Sequence, residues 1–382
     1  MKRGFINSFG IFQTYYATIL PESPSTISWI GSTQVFLLFL VGTITGRLTD
    51  AGYFRPVFLF GSTLQLIGIF SSSYATTYPQ LLASQGLCMG LANGFLFCPC
   101  VTILTTYFLG RRSLAIGIAA SGTATGGVLF PVLARELLPR AGLAWTLRAI
   151  GFVQLVSLIL CNGLLRPRVP PRKAGPLVDL EAFKDKTYTF YAIASFLLFE
   201  GLFFPFYYLS SHATTQLHPK MPYPDSLNLL LLLNVVGAPG RLIPAYLADR
   251  LGAITMLVPF AFAASLLVYC WAAVSTPPAL WAWTALFGLA GGAIQGLFPA
   301  GLSLLTSDPR KQGTRIGMVF TLVSFSVLTG PPIDGALIRA LDDHFLGAQM
   351  FAGSCLFLGG GFMVAARVAK TRGRENGWRE KV

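Results

Sequence analysis

Apolar positions in this chain come in long unbroken runs. They neither alternate, as in a half-buried strand, nor recur on one face only, as in a soluble amphipathic helix. Each run is near the length of about 20 residues that an α-helix needs to cross a bilayer. The pattern predicts spans at 4–20, 27–48, 56–77, 80–108, 113–138, 144–165, 188–210, 227–248, 253–274, 279–305, 315–338 and 347–368. The first is short. Phe5–Leu20 is followed by no small-residue cleavage site, so it reads as a first spanning helix that lacks its beginning, flanked by Lys2 and Arg3.

Composition agrees. Of 382 residues, 53% are hydrophobic and 11% charged, with a mean hydropathy of +0.62. A soluble domain carries about 25% charged residues, and one aqueous core does not grow large enough to absorb this much apolar sequence. The expected fold class is an all-α membrane protein.

Charge placement sets the expected orientation. With twelve spans both ends lie on one side. That side holds 23 of the 28 lysines and arginines, and the other holds only Arg135, Arg140, Arg148, Lys220 and Arg339. Positive residues mark the cytoplasmic side of short loops, so both termini are expected there, in the plasma membrane rather than the vacuolar one. The net charge of +13 is thus a topology signal and not a nucleic-acid footprint, which would need a basic face on a soluble module.

Little else suggests chemistry. His212, His218 and His344 are scattered on or near outer loops. Cys88, Cys98, Cys100, Cys161, Cys270 and Cys355 lie in or beside spans and read as small buried hydrophobes, with no CxxC among them. The glycines at 359–361 follow no strand and form no phosphate loop, so neither a cofactor, a metal nor ATP-driven pumping is expected. An enzyme would need a mid-depth cluster of His, Asp or Cys, which the spans lack.

The two halves repeat. Asp50 and Asp249 end the second and eighth spans, 199 residues apart. Gly86, Gly90 and Gly94 of the fourth span echo Gly288, Gly292 and Gly296 of the tenth, with Asn93 and Gln295 just before the third glycine of each. Gly117 and Pro131 of the fifth span echo Gly317 and Pro331 of the eleventh. A common register across three helix pairs implies a six-helix unit used twice in the same direction, the parallel repeat of major facilitator transporters, whose halves rock about a midplane site. The domains expected are a six-helix bundle at 1–167, a cytoplasmic linker at 168–187, a second bundle at 188–370 and a cytoplasmic tail at 371–382. Around Leu177–Phe183 the linker has an amphipathic pattern. The glycine ladders read as packing surfaces, since small residues four apart let helices approach closely in lipid.

Several motifs carry a resemblance to a family. YFLGRRSLAIGIAASGTATGG at 107–127 resembles the fifth-helix signature of monocarboxylate-transporter-like members of the major facilitator superfamily. SFGIFQTYY at 8–16, SWIGS at 28–32, FFPFYYLSSHA at 203–213, GRLIPAYLADR at 240–250 and GPPIDGAL at 330–337 resemble its fungal branch. The resemblance implies a twelve-helix secondary transporter of a small organic solute, a monocarboxylate or related metabolite, working by alternating access; a transporter-like sensor or a non-transporting member is the alternative. Three departures stand out. The chain starts after the Asp-Gly-Gly-Trp-like motif that opens the family's first helix. Asn7 stands where animal carriers use a lysine. Gly237 stands where they place an aspartate, four residues before the arginine kept here as Arg241.

Arg241 is the first candidate for holding substrate. It lies eight residues before Asp249, about 12 Å deeper into the membrane. Such an arginine usually faces a cavity, and its planar fork matches a carboxylate. Pro239 and Pro244 bracket it and are expected to interrupt the helix there. Asn93, Gln295, Asn7 and Tyr207 are further substrate-binding candidates; Asn234 and Gln85 are polar in apolar runs and read as interhelical hydrogen bonders. Phe203 and Tyr208 line the cavity mouth or belong to an interfacial aromatic belt. Glu200, mid-span in the seventh helix, is either a proton-coupling carboxylate or a structural partner for a polar neighbour or Arg241. Asp334 is a weaker candidate, expected beside Arg339. Asp50, Arg55, Asp249 and Arg250 resemble the superfamily's cytoplasmic gate, where carboxylate–arginine contacts bias one conformation. Ala51 replaces the usual basic residue, so the first copy is expected to be the weaker latch.

Overall fold

A lipid-solvated chain must satisfy its backbone internally, and continuous helices do so. The computed structural model describes residues 12, 15, 16, 19–22, 24–108, 111–167, 177–306, 308–342 and 344–371. Among these it is helical with no strand. The helices are α1 (Pro24–Leu40), α2 (Gly42–Asp50), α3 (Phe54–Ser72), α4 (Tyr78–Leu81), α5 (Met89–Tyr107), α6 (Arg112–Leu164), α7 (Lys186–Leu202), α8 (Phe204–Thr215), α9 (Tyr223–Leu251), α10 (Ala253–Trp271), α11 (Pro277–Leu304), α12 (Gln312–Ala340) and α13 (Leu346–Thr371). Ten stretches among the described residues are long and apolar enough to cross a membrane. One of them, α6, is broken at Gly142 (φ 71°, ψ 177°) and supplies both the fifth and sixth expected spans. Spans two to twelve therefore have counterparts. The first lies mostly outside the described residues, but Phe12 and Tyr16 are buried against Ile27, Ile30 and Ile69.

Many large apolar side chains point outward, among them Leu59, Phe60, Val156, Ile159 and Leu266. Exposed apolar surface on this scale suits lipid as solvent. The prolines inside α5, α9, α11 and α12 do not end those helices. The expected interruption at Pro239 and Pro244 is absent, and α9 runs through both. Proline is tolerated in a spanning helix because neighbouring helices re-satisfy the freed backbone groups.

The chain forms two compact units. The first is built from the described residues of Met1–Tyr107, Gly122–Asp179 and Asp308–Ser324; the second from those of Phe108–Ser121, Leu180–Ser307 and Phe325–Val382. Helices α6 and α12 each give their first turns to one unit and the remainder to the other.

Backbone geometry shows the repeat more clearly than side chains do. Among the described residues, those with positive φ are Gly52 (93°), Gly142 (71°), Gly252 (98°) and Asp342 (51°). They fall into two pairs, Gly52 with Gly252 and Gly142 with Asp342, each separated by 200 residues. Both copies thus turn at the same points.

The glycine ladders are contact surfaces. In the first unit a Cβ at Gly90 would stand 3.0 Å from the Gln34 Cα, and one at Gly94 would strike Val41. In the second, a Cβ at Gly288 would stand 2.9 Å from the Leu233 carbonyl oxygen and one at Gly292 2.6 Å from that of Gly237. Hence α5 lies on α1 and α2, and α11 lies on α9, with no room for a side chain. A second seam joins α2 to the start of α12: Gly46 meets the backbone of Gly313, and Gly42 meets that of Gly317.

The linker ends on an anchored carboxylate. Asp179, at 4% exposure, lies 3.1 Å from the Arg315 Nε and 3.4 Å from the Lys311 Nζ. Burial pushes its carboxyl upward, but Arg315 and Lys311 outweigh it and hold the group below the usual carboxylate range. A depressed folded value stabilises the protein above the ordinary carboxylate pKa, and that stability is lost as pH falls through the folded value. Asp179→Asn is therefore expected to destabilise the protein at neutral pH by about 1–3 kcal/mol. In thermal unfolding of detergent-purified protein, the gap from wild type should narrow as pH drops below about 4. A gap that is constant with pH would contradict the role of the charge. Beyond Asp179 a short 3-10 turn, Leu180–Lys184, buries Ala182, and the Asp185 carboxylate then caps α7 by accepting from the Thr187 N–H at 2.9 Å.

Candidate functional site

Arg241 sits on α9 inside the second unit, at 2% exposure. It does not reach for an interface. Its Nη2 donates to the Gln295 Oε1 on α11 at 2.7 Å. Its Nε and Nη1 are buried and have no partner among the described residues. Two glycines make the space. A Cβ at Gly237 would stand 2.9 Å from the Arg241 Nη1, and one at Gly296 3.3 Å from the Arg241 Cβ. Gly237 is the position where the resemblance leads one to look for an aspartate. The open donor Nη1 faces it, so a carboxylate there would meet the guanidinium.

Glu200 and Arg241 are not partners. Glu200, near the C-terminal end of α7 and 5% exposed, accepts from the Thr329 hydroxyl of α12, whose Oγ1 lies 3.1 and 3.2 Å from its two oxygens. Asp334, one turn beyond Gly330 on α12, is fully buried, and neither of its oxygens has a partner among the described residues. The expected pairing with Arg339 does not occur: the Arg339 Nε turns to the Gly335 carbonyl at 3.4 Å. Tyr207 is half-buried. Tyr208 is fixed to α12 by a 2.8 Å bond from its hydroxyl to the Pro331 carbonyl, and the Phe203 ring packs on Phe199 and Phe206.

The first unit carries buried amides of its own. Asn93 is 2% exposed, with its Nδ2 unpartnered among the described residues. The Gln85 Oε1 accepts from the Tyr16 hydroxyl at 2.7 Å. Gln34, which no pattern singled out, is fully buried, and neither amide atom has a partner among the described residues. A lone amide in the run 27–48 was the available signal. Asn234 bonds back to the Leu230 carbonyl of its own helix at 2.9 Å. Asn7 lies outside the described residues.

The gate residues are arranged differently from the expectation. The Asp50 carboxylate accepts from the Gly313 N–H (2.9 Å), the Thr314 N–H (2.7 Å) and the Thr314 hydroxyl (2.8 Å) at the start of α12. The Asp249 carboxylate accepts from the Ser113 (2.8 Å) and Leu114 (3.0 Å) N–H groups at the start of α6. Each aspartate thus caps a helix N-terminus, where first-turn N–H groups lack intrahelical acceptors and the helix dipole favours negative charge. These bonds need no arginine. Arg55 is exposed in the first turn of α3. Arg250 folds back on its own helix, its Nη2 2.6 Å from the Tyr246 hydroxyl and its guanidinium over that ring. The aspartate of the first copy, followed by Ala51, is the more buried of the two.

The Major Facilitator Superfamily profile matches residues 4–331. The chain belongs to the major facilitator superfamily. Relatives in fungi agree. An MFS-type transporter of Gibberella zeae is 50% identical over 365 residues, spanning 96% of this chain and 83% of the relative. The aspyridones efflux protein of Emericella nidulans is 32% identical over 99% of this chain and 77% of its own length. The agnestins efflux protein of Paecilomyces divaricatus is 33% identical over 96% and 84%. Among solved structures the fold matches the human organic anion transporter (TM-score 0.72, 17% identity, 94% of this chain and 89% of that one) and the E. coli fucose:proton symporter (TM-score 0.73, 14% identity, 96% and 95%). The protein is thus a multi-pass major facilitator protein, and its homologues are transporters, not enzymes.

Proposed function

We propose that this superfamily member exports an organic anion by alternating access, in the monocarboxylate-transporter-like fungal branch, with Arg241 as the residue that holds the cargo's carboxylate or enolate. The observation that supports this most is the enclosed guanidinium of Arg241, bound through its Nη2 to Gln295 and with its Nη1 open beside Gly237. Carrying a permanent cation into a spanning helix costs a few kcal/mol, and an anion that docks in the fork offsets that cost while binding. The efflux named for two relatives favours export. Gln295 and Tyr207, in the same unit as Arg241, are the further substrate contacts of this reading. Orientation with both termini in the cytoplasm and residence in the plasma membrane complete the proposal. Flux of a labelled monocarboxylate panel, measured at two pH values in a host lacking its own carriers, tests it. Carboxylates should be moved in preference to their amides and esters. No flux of any anion would turn the reading toward a sensor.

A further inference from the structure

The histidines have no part in the role given to Arg241, and one of them is not solvated. His212, in the last turn of α8, is 5% exposed. Its ring stands 5.0 Å from that of Trp271 at the end of α10. It stands 5.2 Å from that of Phe345, just before α13, edge-on at 88°. Its Nδ1 is buried and has no partner among the described residues, and the same holds for the Nε1 of Trp271. A buried polar atom without a partner is costly, and each such atom calls for an explanation.

The His212 ring is one wall of a cavity of about 580 Å³ within the second unit. Small-molecule pockets enclose about 300–1,000 Å³. The cavity gathers the C-terminal ends of α8, α10 and α12 and the N-terminal end of α13. It takes no lining residue from α9 or α11, the helices that carry Arg241 and Gln295. Gln216 and the buried Gln349 bring polar side chains to its walls. Asp342, His344 and Leu346 form an exposed rim.

Charge decides what fits. Among the described lining residues there is no lysine or arginine, and the one carboxylate is that of Asp342 at the rim. An anion is disfavoured there by like charge. A neutral imidazole has one accepting and one donating nitrogen, and a hydroxyl can meet either. The rings beside it favour an aromatic body, packed edge-to-face or offset.

We propose that this cavity is an accessory binding site for a neutral, phenol-bearing molecule, with His212 as the hydrogen-bond partner of the phenol hydroxyl. The ligand's ring packs against Phe345, and its polar remainder meets Gln216 and Gln349. The site is separate from the cargo's, and it selects against the negative charge that Arg241 is proposed to select for. The inference goes beyond anion export and stands without it.

The experiment is a calorimetric titration of the purified full chain in lipid nanodiscs. Three matched probes are used: 4-hydroxyphenylacetamide, its 4-methoxy analogue and 4-hydroxyphenylacetate. Wild type should bind the first saturably, about 3- to 10-fold more tightly than the methoxy analogue, the worth of one hydrogen bond. It should also bind it more tightly than the anionic acetate. His212→Phe keeps an aromatic ring and removes both nitrogens, so it should erase the preference for hydroxyl over methoxy. Leu346→Trp, at the exposed rim, should block the mouth and weaken binding of all three probes without altering His212. It keeps the test alive where His212→Phe does not fold. The inference is overturned if wild type does not bind the phenol probe saturably, or if it binds the methoxy analogue or the acetate as tightly. It is overturned equally if either folded variant binds the three probes as wild type does.

Discussion

Arg241→Lys is expected to raise the KM for a carried carboxylate by about 10- to 100-fold, the equivalent of one charge-assisted hydrogen bond of roughly 1.5–3 kcal/mol. Folded protein should still reach the membrane. Lysine keeps the charge and much of the length, but it is a point donor and not a planar fork. It cannot bond Gln295 and also hold a second donor of a rigid fork toward Gly237, as the Arg241 guanidinium does with its Nη2 on Gln295 and its Nη1 beside Gly237. Gly237→Asp probes the same slot from the other side. Its carboxylate would stand on the Arg241 Nη1, since even the Cβ comes within 2.9 Å. The added group should occupy the anion position and suppress flux while leaving the fold intact. Concentration-dependent initial rates check both variants, and an unchanged KM in Arg241→Lys would show that the arginine only packs.

The second large effect concerns the seam between α2 and α12. Gly46→Leu is expected to abolish recovery of folded monomer, and Gly46→Ala to lower the unfolding temperature markedly. At Gly46 even a Cβ overlaps the backbone of Gly313, which cannot turn aside as a flexible side-chain end would. Overpacking of this kind costs about 1–3 kcal/mol where neighbours can adjust, and more against backbone. Gly361→Ala is the matched control: a Cβ there meets nothing within 4 Å, so it should be neutral or slightly stabilising in its helix. Thermal unfolding of the detergent-purified variants measures the contrast. Equal behaviour at Gly46 and Gly361 would refute the seam.

Span positions two to twelve were legible because apolar run length is set by the bilayer and needs no tertiary information. The repeat was legible only in part. Gly52 and Gly252 match in kind, but the counterpart of Gly142 is Asp342, which also tolerates the left-handed region and so conceals the echo. The aspartates at 50 and 249 could be read as a pair, yet their partners could not. A carboxylate binds whichever fixed donors stand in reach, and Asp50 finds them 263 and 264 residues away in backbone N–H groups that carry no side-chain signature. The Asp334–Arg339 pairing failed for a local reason. Residues five apart on a helix lie about 140° round from each other and share no face. Arg241 was visible as a charge out of place. Its surroundings, the glycine at 237 and the amide of Gln295, come from packing two helices against each other.

The most direct test of the account is the discrimination between an acid and its uncharged amide. Flux of matched labelled monocarboxylates and their carboxamides is measured in the same host, for wild type and Arg241→Lys. The account predicts that wild type moves the acid at least about tenfold better than the amide, and that Arg241→Lys erases most of this preference by losing the acid alone. Equal flux of acid and amide in wild type, or a preference that survives the substitution, would contradict it.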